Sequence, residues 1–311
     1  MDTFHIPVLL GEAVDALCPK AGGIYVDGTL GGGGYAEAIL RKILPSGLLI
    51  GIDADEEALA ESKRRLEPFG KRKTLLKGNF ADIARMLKEL HINRVDGIVL
   101  DLGVSSRQLE NADRGFSFSL PGPLDMRMDR SAKLNAYDLI NTLSVQELEK
   151  IIRGYGEETM AGKIARAISE EREKAPIRTT SELAQIVVRA VPPQFRHKKI
   201  HPATKTFQAI RIAVNNELAN LHHAINDGIK LLNERGRFCI ISFHSLEDRI
   251  VKNTFRSWEK GCICPPDIPF CRCNRKPLLK VITKKPITPG SIELADNPRA
   301  RSAKLRTAER I

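Results

Sequence analysis

The stretch from Ile24 to Leu40 restricts this chain more than any other. A β-rich run, Ile24-Tyr-Val-Asp27, passes through Gly28-Thr-Leu into four glycines, Gly31 to Gly34, and an apolar-periodic segment follows at once. This order places a strand-to-helix turn on the glycines. Without Cβ atoms the backbone there can turn tightly and approach a bound molecule closely, and a helix N-terminus offers unpaired N–H groups to an anion. The turn reads as a ligand-binding element.

Two cofactors compete for it. Gly31-x-Gly33-x-x-Ala36 satisfies the dinucleotide fingerprint, and Asp53 ends the next apolar run, where a ribose hydroxyl would be held. The alternative is S-adenosylmethionine, which shares the ribose and adenine but carries an ammonium and a sulfonium in place of a pyrophosphate. Cations call for acids. Asp27, Asp53, Asp82 and Asp101 each stand at or just beyond the end of a predicted strand. Acids also cap helices that follow strands, and that plainer reading applies most directly to Asp82.

The whole chain bounds the class. At 311 residues and 42% hydrophobic content it can bury one large core or two smaller ones. Its longest apolar run, Phe238 to Phe243, is too short to span a bilayer, and the N-terminus lacks signal-peptide character, so a cytoplasmic protein is expected, with no membrane partner. The charge of +11 is uneven. Residues 189–216 hold six Lys/Arg and no acid, and residues 271–311 hold eleven against three, so the rest of the chain is net negative. Basic segments on an acidic body suit a polyanion partner, with a solvated surface as the bland alternative.

Four of the six cysteines, Cys262, Cys264, Cys271 and Cys273, crowd into one stretch. They form a poor disulfide framework for so long a chain and read as reduced thiols or a structural zinc clip, although the one-residue spacing within each pair is tight. No metal is called for in the chemistry itself.

Taken in order, residues 1–23 hold His5, which could touch a substrate or be structural, and a short amphipathic segment, Gly11 to Leu17. Strands at 48–52, 73–77 and 95–100 then alternate with helices at 56–67 and 81–90, which predicts a parallel sheet covered by helices, with ligands outside its carboxyl ends. After Asp101 about a hundred residues give no convincing strand. Ser144 with Glu147 and Thr179 with Glu182 form capping-box patterns, and residues 113–130 read as an ordered loop. A long helical stripe from Phe207 to Leu232 leads into a fifth strand, Arg237 to Phe243, followed by the polar cluster His244-Ser-Leu-Glu-Asp-Arg249. A basic strand at 278–285 and the segment 302–310 are expected to add antiparallel strands at the edge.

The motifs Asp27-Gly-Thr-Leu-Gly-Gly-Gly-Gly, Asp101-Leu-Gly-Val-Ser-Ser, Gly122-Pro-Leu-Asp-Met-Arg-Met-Asp, His201-Pro-Ala-Thr-Lys-Thr-Phe, Ser242-Phe-His-Ser-Leu-Glu-Asp-Arg and Asn297-Pro-Arg-Ala-Arg-Ser occur in this order. Together with His5-Ile-Pro-Val-Leu-Leu they resemble the bacterial cytosine-N4 methyltransferases of small-subunit ribosomal RNA, the H type or MraW family, over nearly the whole chain. The resemblance implies an α/β fold with a class I methyltransferase (Rossmann-like) sheet and a helical insert. It further implies methyl transfer from S-adenosylmethionine to a decoding-centre cytidine. On this reading residues 1–108 and 201–311 form a discontinuous methyltransferase domain, and 109–200 an inserted helical substrate-recognition domain.

The family's cofactor contacts carry over to Gly33, Gly34, Tyr35, Asp53, Phe80, Asp101 and Gln108. Tyr35 departs from the histidine common there, so backbone contacts survive but an imidazole role would not. Asp101 is the first candidate to orient the acceptor amine, with His244 and Ser105 as further candidates for base contacts or proton removal. Arg196, Lys198, Lys199 and Lys205 are the RNA-binding candidates. Cys239 lies in an apolar strand and reads as an inert thiol, since N4 methylation needs no covalent adduct. The expected partner is small-subunit ribosomal RNA within an assembled or nearly assembled subunit, and a homodimer is left open. A non-catalytic RNA-binding factor would not need the strand-end acids, and a nicotinamide dehydrogenase would leave Asp101 and the basic tail without a role.

Overall fold

The computed structural model describes residues 7–196, 200–265, 270, 272–273 and 275–311, which leaves His5, Lys198, Lys199 and Cys271 outside the described residues. The chain forms two compact units, one running to Gly103 and resuming over Leu218–Ile311, the other Val104–Glu217.

The first unit opens with α1 (Leu10–Leu17), β1 (Ile24–Asp27), α2 (Gly34–Lys42), β2 (Leu48–Asp53), α3 (Glu56–Arg65), β3 (Lys73–Lys77), α4 (Ile83–Glu89) and β4 (Val95–Asp101). The second unit holds α5 (Ser106–Glu110), α6 (Ala136–Thr142), α7 (Val145–Gly156), α8 (Ala161–Lys174), α9 (Thr180–Ala190) and α10 (Thr204–Asn215). After α11 (Glu217–Leu231), the first unit adds β5 (Leu232–Ser242), α12 (Ser245–Lys260), β6 (Leu279–Val281), α13 (Ser291–Asp296) and β7 (Lys304–Arg310).

Among the described residues seven strands form one sheet, in the order β3-β2-β1-β4-β5-β7-β6. The first five are mutually parallel, and β7 pairs antiparallel with both β5 and β6. This is the class I methyltransferase sheet that the resemblance implies. The strands read as continuous apolar runs because both faces are covered. Val26, Ile50, Ile98, Leu100, Phe238 and Ile240 pack on one side with residues of α4, α11 and α12. Alternate positions Tyr25, Leu49, Val99, Cys239 and Ile241 pack on the other with α1 and α2.

The second unit has its own core, built from Leu139, Leu148, Ile152, Ile164, Ile168, Leu183, Val187, Phe207 and Ile210. Both expected capping boxes form, Ser144 with Glu147 at α7 and Thr179 with Glu182 at α9. Such a cap contributes about 1 kcal/mol. The loop before α6 is fixed by polar contacts. Asn215 accepts from Met128 N and donates to Met126 O, each at 2.8 Å, and buried Arg114 donates to the carbonyls of Arg127 and Met128.

One expected element is corrected. The stripe from Phe207 to Leu232 is two helices, because Asn216 takes a left-handed conformation (φ 50°) that ends α10. Phe207, Ile210 and Val214 feed the core of the second unit, whereas Leu221, Ile225, Ile229 and Leu232 feed the sheet. The basic edge strand is also shorter than expected, Leu279–Val281.

Close packing of α11 on the sheet gives a stability test. A Cβ at Gly228 would lie 2.6 Å from Cε1 of Phe238 and 3.1 Å from Cδ1 of Ile98. Gly→Ala inside a helix ordinarily stabilises by about 1 kcal/mol. Here the sign should reverse, and Gly228→Ala is expected to cost about 1–3 kcal/mol in a denaturant melt through overpacking.

Candidate active site

The carboxyl ends of β1, β2 and β4 bring three of the four strand-end acids together around the glycine turn. Gly31 and Gly33 have φ of 50° and 78°, left-handed values that favour glycine, and Gly33 is the residue from which α2 starts. Asp53 fastens the turn to the second strand. Its Oδ2 accepts from Gly31 N at 2.7 Å and its Oδ1 from Asp55 N at 2.8 Å. From α3, the buried Ser62 hydroxyl donates to Gly31 O at 2.7 Å, and Arg65 donates to Gly32 O at 3.1 Å. Gly34 opens α2 against Pro7, in a space that a Cβ would fill.

Thr29 is a site residue that sequence reasoning missed. Its N–H donates to Asp27 Oδ1 at 3.2 Å, and its hydroxyl accepts from Asp101 N at 2.6 Å, so it links the ends of β1 and β4. The signal was its place between Asp27 and the glycines, where a hydroxyl can reach a neighbouring strand. Ser62 carried no comparable signal, being one polar residue within a charged helix.

Burial perturbs all three acids, and the charge of a neighbouring carboxylate adds to it in each case. Desolvation, opposed by the bond from Thr29 and reinforced by the charge of Asp53, pushes Asp27 up to about 7. Asp53 is pushed up to about 6, again mainly by desolvation, with its backbone hydrogen bonds opposing. Asp101 is raised well above the usual carboxylate range by desolvation, then by the charges of Asp27 and Glu247. Oδ2 of Asp27 and Oδ1 of Asp101 are buried with no hydrogen-bond partner among the described residues. Unpaired buried carboxylate oxygens are costly, and the charge is favoured when a cation or a donor arrives. The donor set therefore fits a ligand with ribose hydroxyls and positive charge, and it would repel a pyrophosphate.

Phe80 lies beside this group, on the short turn Phe80–Asp82 after β3, and a Cβ at Gly28 would come within 3.2 Å of its own Cβ. An aromatic face at that position can stack on a base. Tyr35 is buried in α2, and its hydroxyl donates to Val8 O. That phenol is a core contact. Asp82 does not join the cluster, because its half-exposed side chain pairs with Arg85 at 3.3 Å.

His244 caps α12. Its Nδ1 accepts from Glu247 N at 3.4 Å, while Glu247 Oε2 accepts from Phe243 N at 2.8 Å and His244 N at 3.3 Å. Nε2 lies 3.1 Å from Glu247 Oε1 without hydrogen-bonding alignment. Buried Glu247 thus belongs to the polar cluster beside β5 and helps raise Asp101. Cys239 is buried with its thiol pushed up to about 12 by desolvation, in keeping with an inert side chain.

In the second unit, Ser105 and Gln108 form a capping box at α5, with Ser105 N donating to Gln108 Oε1 at 3.0 Å. Two of the four RNA-binding candidates make internal contacts. Arg196 donates to the carbonyls of Val191 and Arg189 at the end of α9, and Lys205 donates to Glu157 O at 2.9 Å at the end of α7. No described helix is long and apolar enough to cross a membrane.

The comparisons with known proteins agree with this geometry. The chain is 60% identical over 309 residues to the ribosomal RNA small subunit methyltransferase H of Syntrophus aciditrophicus, covering 99% of this chain and 98% of that one. It is 54% identical to the protein of the same name from Trichlorobacter lovleyi, with 100% of each chain covered. The relative of that name in Clostridioides difficile is 48% identical, again with 100% of each chain covered. The MraW methylase family model matches residues 2–311, so this chain belongs to the MraW methylase family.

Proposed function

We propose that the chain methylates the N4 amine of a decoding-centre cytidine in small-subunit ribosomal RNA, using S-adenosylmethionine. The carrying observation is the cluster of Asp27, Asp53 and Asp101 around the glycine turn, with two buried carboxylate oxygens lacking partners among the described residues. When bound, S-adenosylmethionine supplies an electrophilic methyl on a sulfonium. Asp53 would hold the ribose hydroxyls, Phe80 would stack on the adenine, and the N–H groups and carboxylates about Gly31 to Gly34 would hold the methionine end.

The N4 amine is conjugated with the cytosine ring and is a weak nucleophile. Asp101 Oδ1 accepts one of its N–H groups, which turns the nitrogen lone pair toward the methyl and localises it there. Methylation would leave the nitrogen positive, and Asp101, ionised beside the cationic donor, would take up the one proton that the nitrogen then releases. His244 holds the turn after β5 through its cap and contributes a contact to the base. The second unit selects the RNA, and Lys198 and Lys199 carry the phosphate contacts, because Arg196 and Lys205 already bind helix-end carbonyls.

The activity is tested by incubating the full chain and S-adenosylmethionine with small subunits from cells lacking the enzyme, then digesting the RNA for nucleoside mass spectrometry. N4-methylcytidine at one site is expected, and a methyl on another atom would overturn the assignment. Asp101→Asn should lower turnover by about 10²- to 10⁴-fold, with the fold intact by circular dichroism.

The perturbed acids give a pH test. Because the folded pKa values of Asp27 and Asp53, about 7 and about 6, lie above ordinary carboxylate values, these groups favour the empty fold when protonated. That contribution declines as pH rises from the ordinary carboxylate range to about 7. A cationic ligand needs the ionised forms. Its affinity, followed by calorimetry, should therefore weaken as pH falls below about 7, by up to about tenfold per pH unit for each proton taken up.

Lys198→Gln with Lys199→Gln should flatten the salt dependence of RNA affinity by about 0.7 to 0.9 of a log unit for each phosphate that is no longer neutralised, and leave cofactor affinity unchanged. Arg196→Gln should instead lower stability, by about 1 kcal/mol for each hydrogen bond to a carbonyl that it removes.

A further inference from the structure

The segment between α12 and β6 takes no part in the site above. It leaves α12 at Gly261 and returns at Leu278, whose N–H donates to Trp258 O at 3.0 Å. The Arg275 guanidinium lies over the Trp258 ring, 3.6 Å from its centroid. Exit and return are therefore fastened to the same turn of α12. Beyond this base the described residues form no helix or strand, and the large apolar side chains point outward, with Ile263 60% and Phe270 80% exposed. With no helix, strand or apolar core among its described residues, a loop of this length needs some other cross-link.

What turns inward is sulfur. The ligand atoms of Cys262, Cys264 and Cys273 lie within 4.8 Å of one another, and the Sγ atoms of Cys262 and Cys273 are 3.8 Å apart. A tetrahedral ion with Zn–S bonds of about 2.3 Å places its thiolates about 3.8 Å apart. Two backbone N–H groups point at the sulfurs, Ile263 N at Cys273 Sγ (3.5 Å) and Arg272 N at Cys264 Sγ (3.3 Å). N–H donors aimed at sulfur stabilise the thiolate and orient it, the task of the groups that surround metal ligands. Three cysteine sulfurs this close suit a bound cation, which binds them as thiolates and offsets the repulsion between them.

We propose that Cys262, Cys264 and Cys273 bind a structural zinc ion that fixes the loop between α12 and β6. Each thiol gives its proton to solvent on binding, so retention of the metal weakens in acid. The ion is structural because the site lies in a segment separate from the strand-end acids, and it organises a loop whose described apolar side chains, Ile263 and Phe270, are exposed.

The test is metal content of the full chain, purified without chelator under reducing conditions. About one zinc per chain is expected. Cys262→Ser, Cys264→Ser and Cys273→Ser should each lose it, and Cys18→Ser, on the exposed end of α1, should keep it. Cobalt added to the stripped wild-type chain should give the thiolate charge-transfer band and the visible bands of a tetrahedral site. Limited proteolysis between residues 261 and 278 should quicken on stripping, which reports on the loop even if a serine variant folds poorly. Absence of both zinc and the cobalt spectrum from the wild-type chain would overturn the proposal. So would a Cys262–Cys273 disulfide in the reduced preparation.

Discussion

The hydrogen bond from Gly31 N to Asp53 ties the ligand turn to the sheet, and much of the site depends on it. A four-glycine run has the largest backbone entropy to lose on folding, so it needs anchors that a side-chain core cannot supply. Asp53 provides one, and Ser62 and Arg65 of α3 provide two more through the carbonyls of Gly31 and Gly32. The helix that follows β2 thereby fixes the carbonyls of the turn and helps hold its left-handed residues in place.

The same arrangement sets the electrostatics. Three carboxylates at the ends of adjoining strands are held where desolvation and the charges of neighbouring acids favour their protonated forms. Such a site is poorly satisfied alone and is satisfied by positive charge, which is a physical basis for preferring a sulfonium and an ammonium over a pyrophosphate. Thr29 supports this geometry because one residue joins two strand ends: its backbone N–H donates to the Asp27 carboxylate and its hydroxyl accepts from Asp101 N.

Polar side chains perform a second kind of work in the unit formed by Val104–Glu217. There Arg114, Arg127, Asn215, Arg196 and Lys205 bind backbone carbonyls or a carboxylate and fix loops and helix ends. Arg127 pairs bidentately with Asp125, at 2.8 Å through both nitrogens. The positive charge counted along residues 189–216 is thus partly committed to internal structure. A basic stretch in a sequence reports charge and not its availability.

The amino-acid order by itself determined the features that rest on neighbours in the chain. The strands β1 to β4, the turn at Gly31 to Gly34 and both capping boxes were legible because β-branched runs, glycines and Ser/Thr-x-x-Glu patterns act within a few residues. The motif resemblance supplied the sheet class. Only the tertiary structure decided which strand-end acids share a site. Asp82 has the same local setting as the others, yet it pairs with Arg85 in solvent, while Asp27, Asp53 and Asp101 meet in space. It also decided that the stripe from Phe207 to Leu232 is two helices in two cores, because a hydrophobic period does not reveal which core it faces. Thr29, Ser62 and the converging thiols of Cys262, Cys264 and Cys273 belong to the same class. Their roles depend on contacts between distant segments or on the path of a loop, and those distances exist only once the chain has folded.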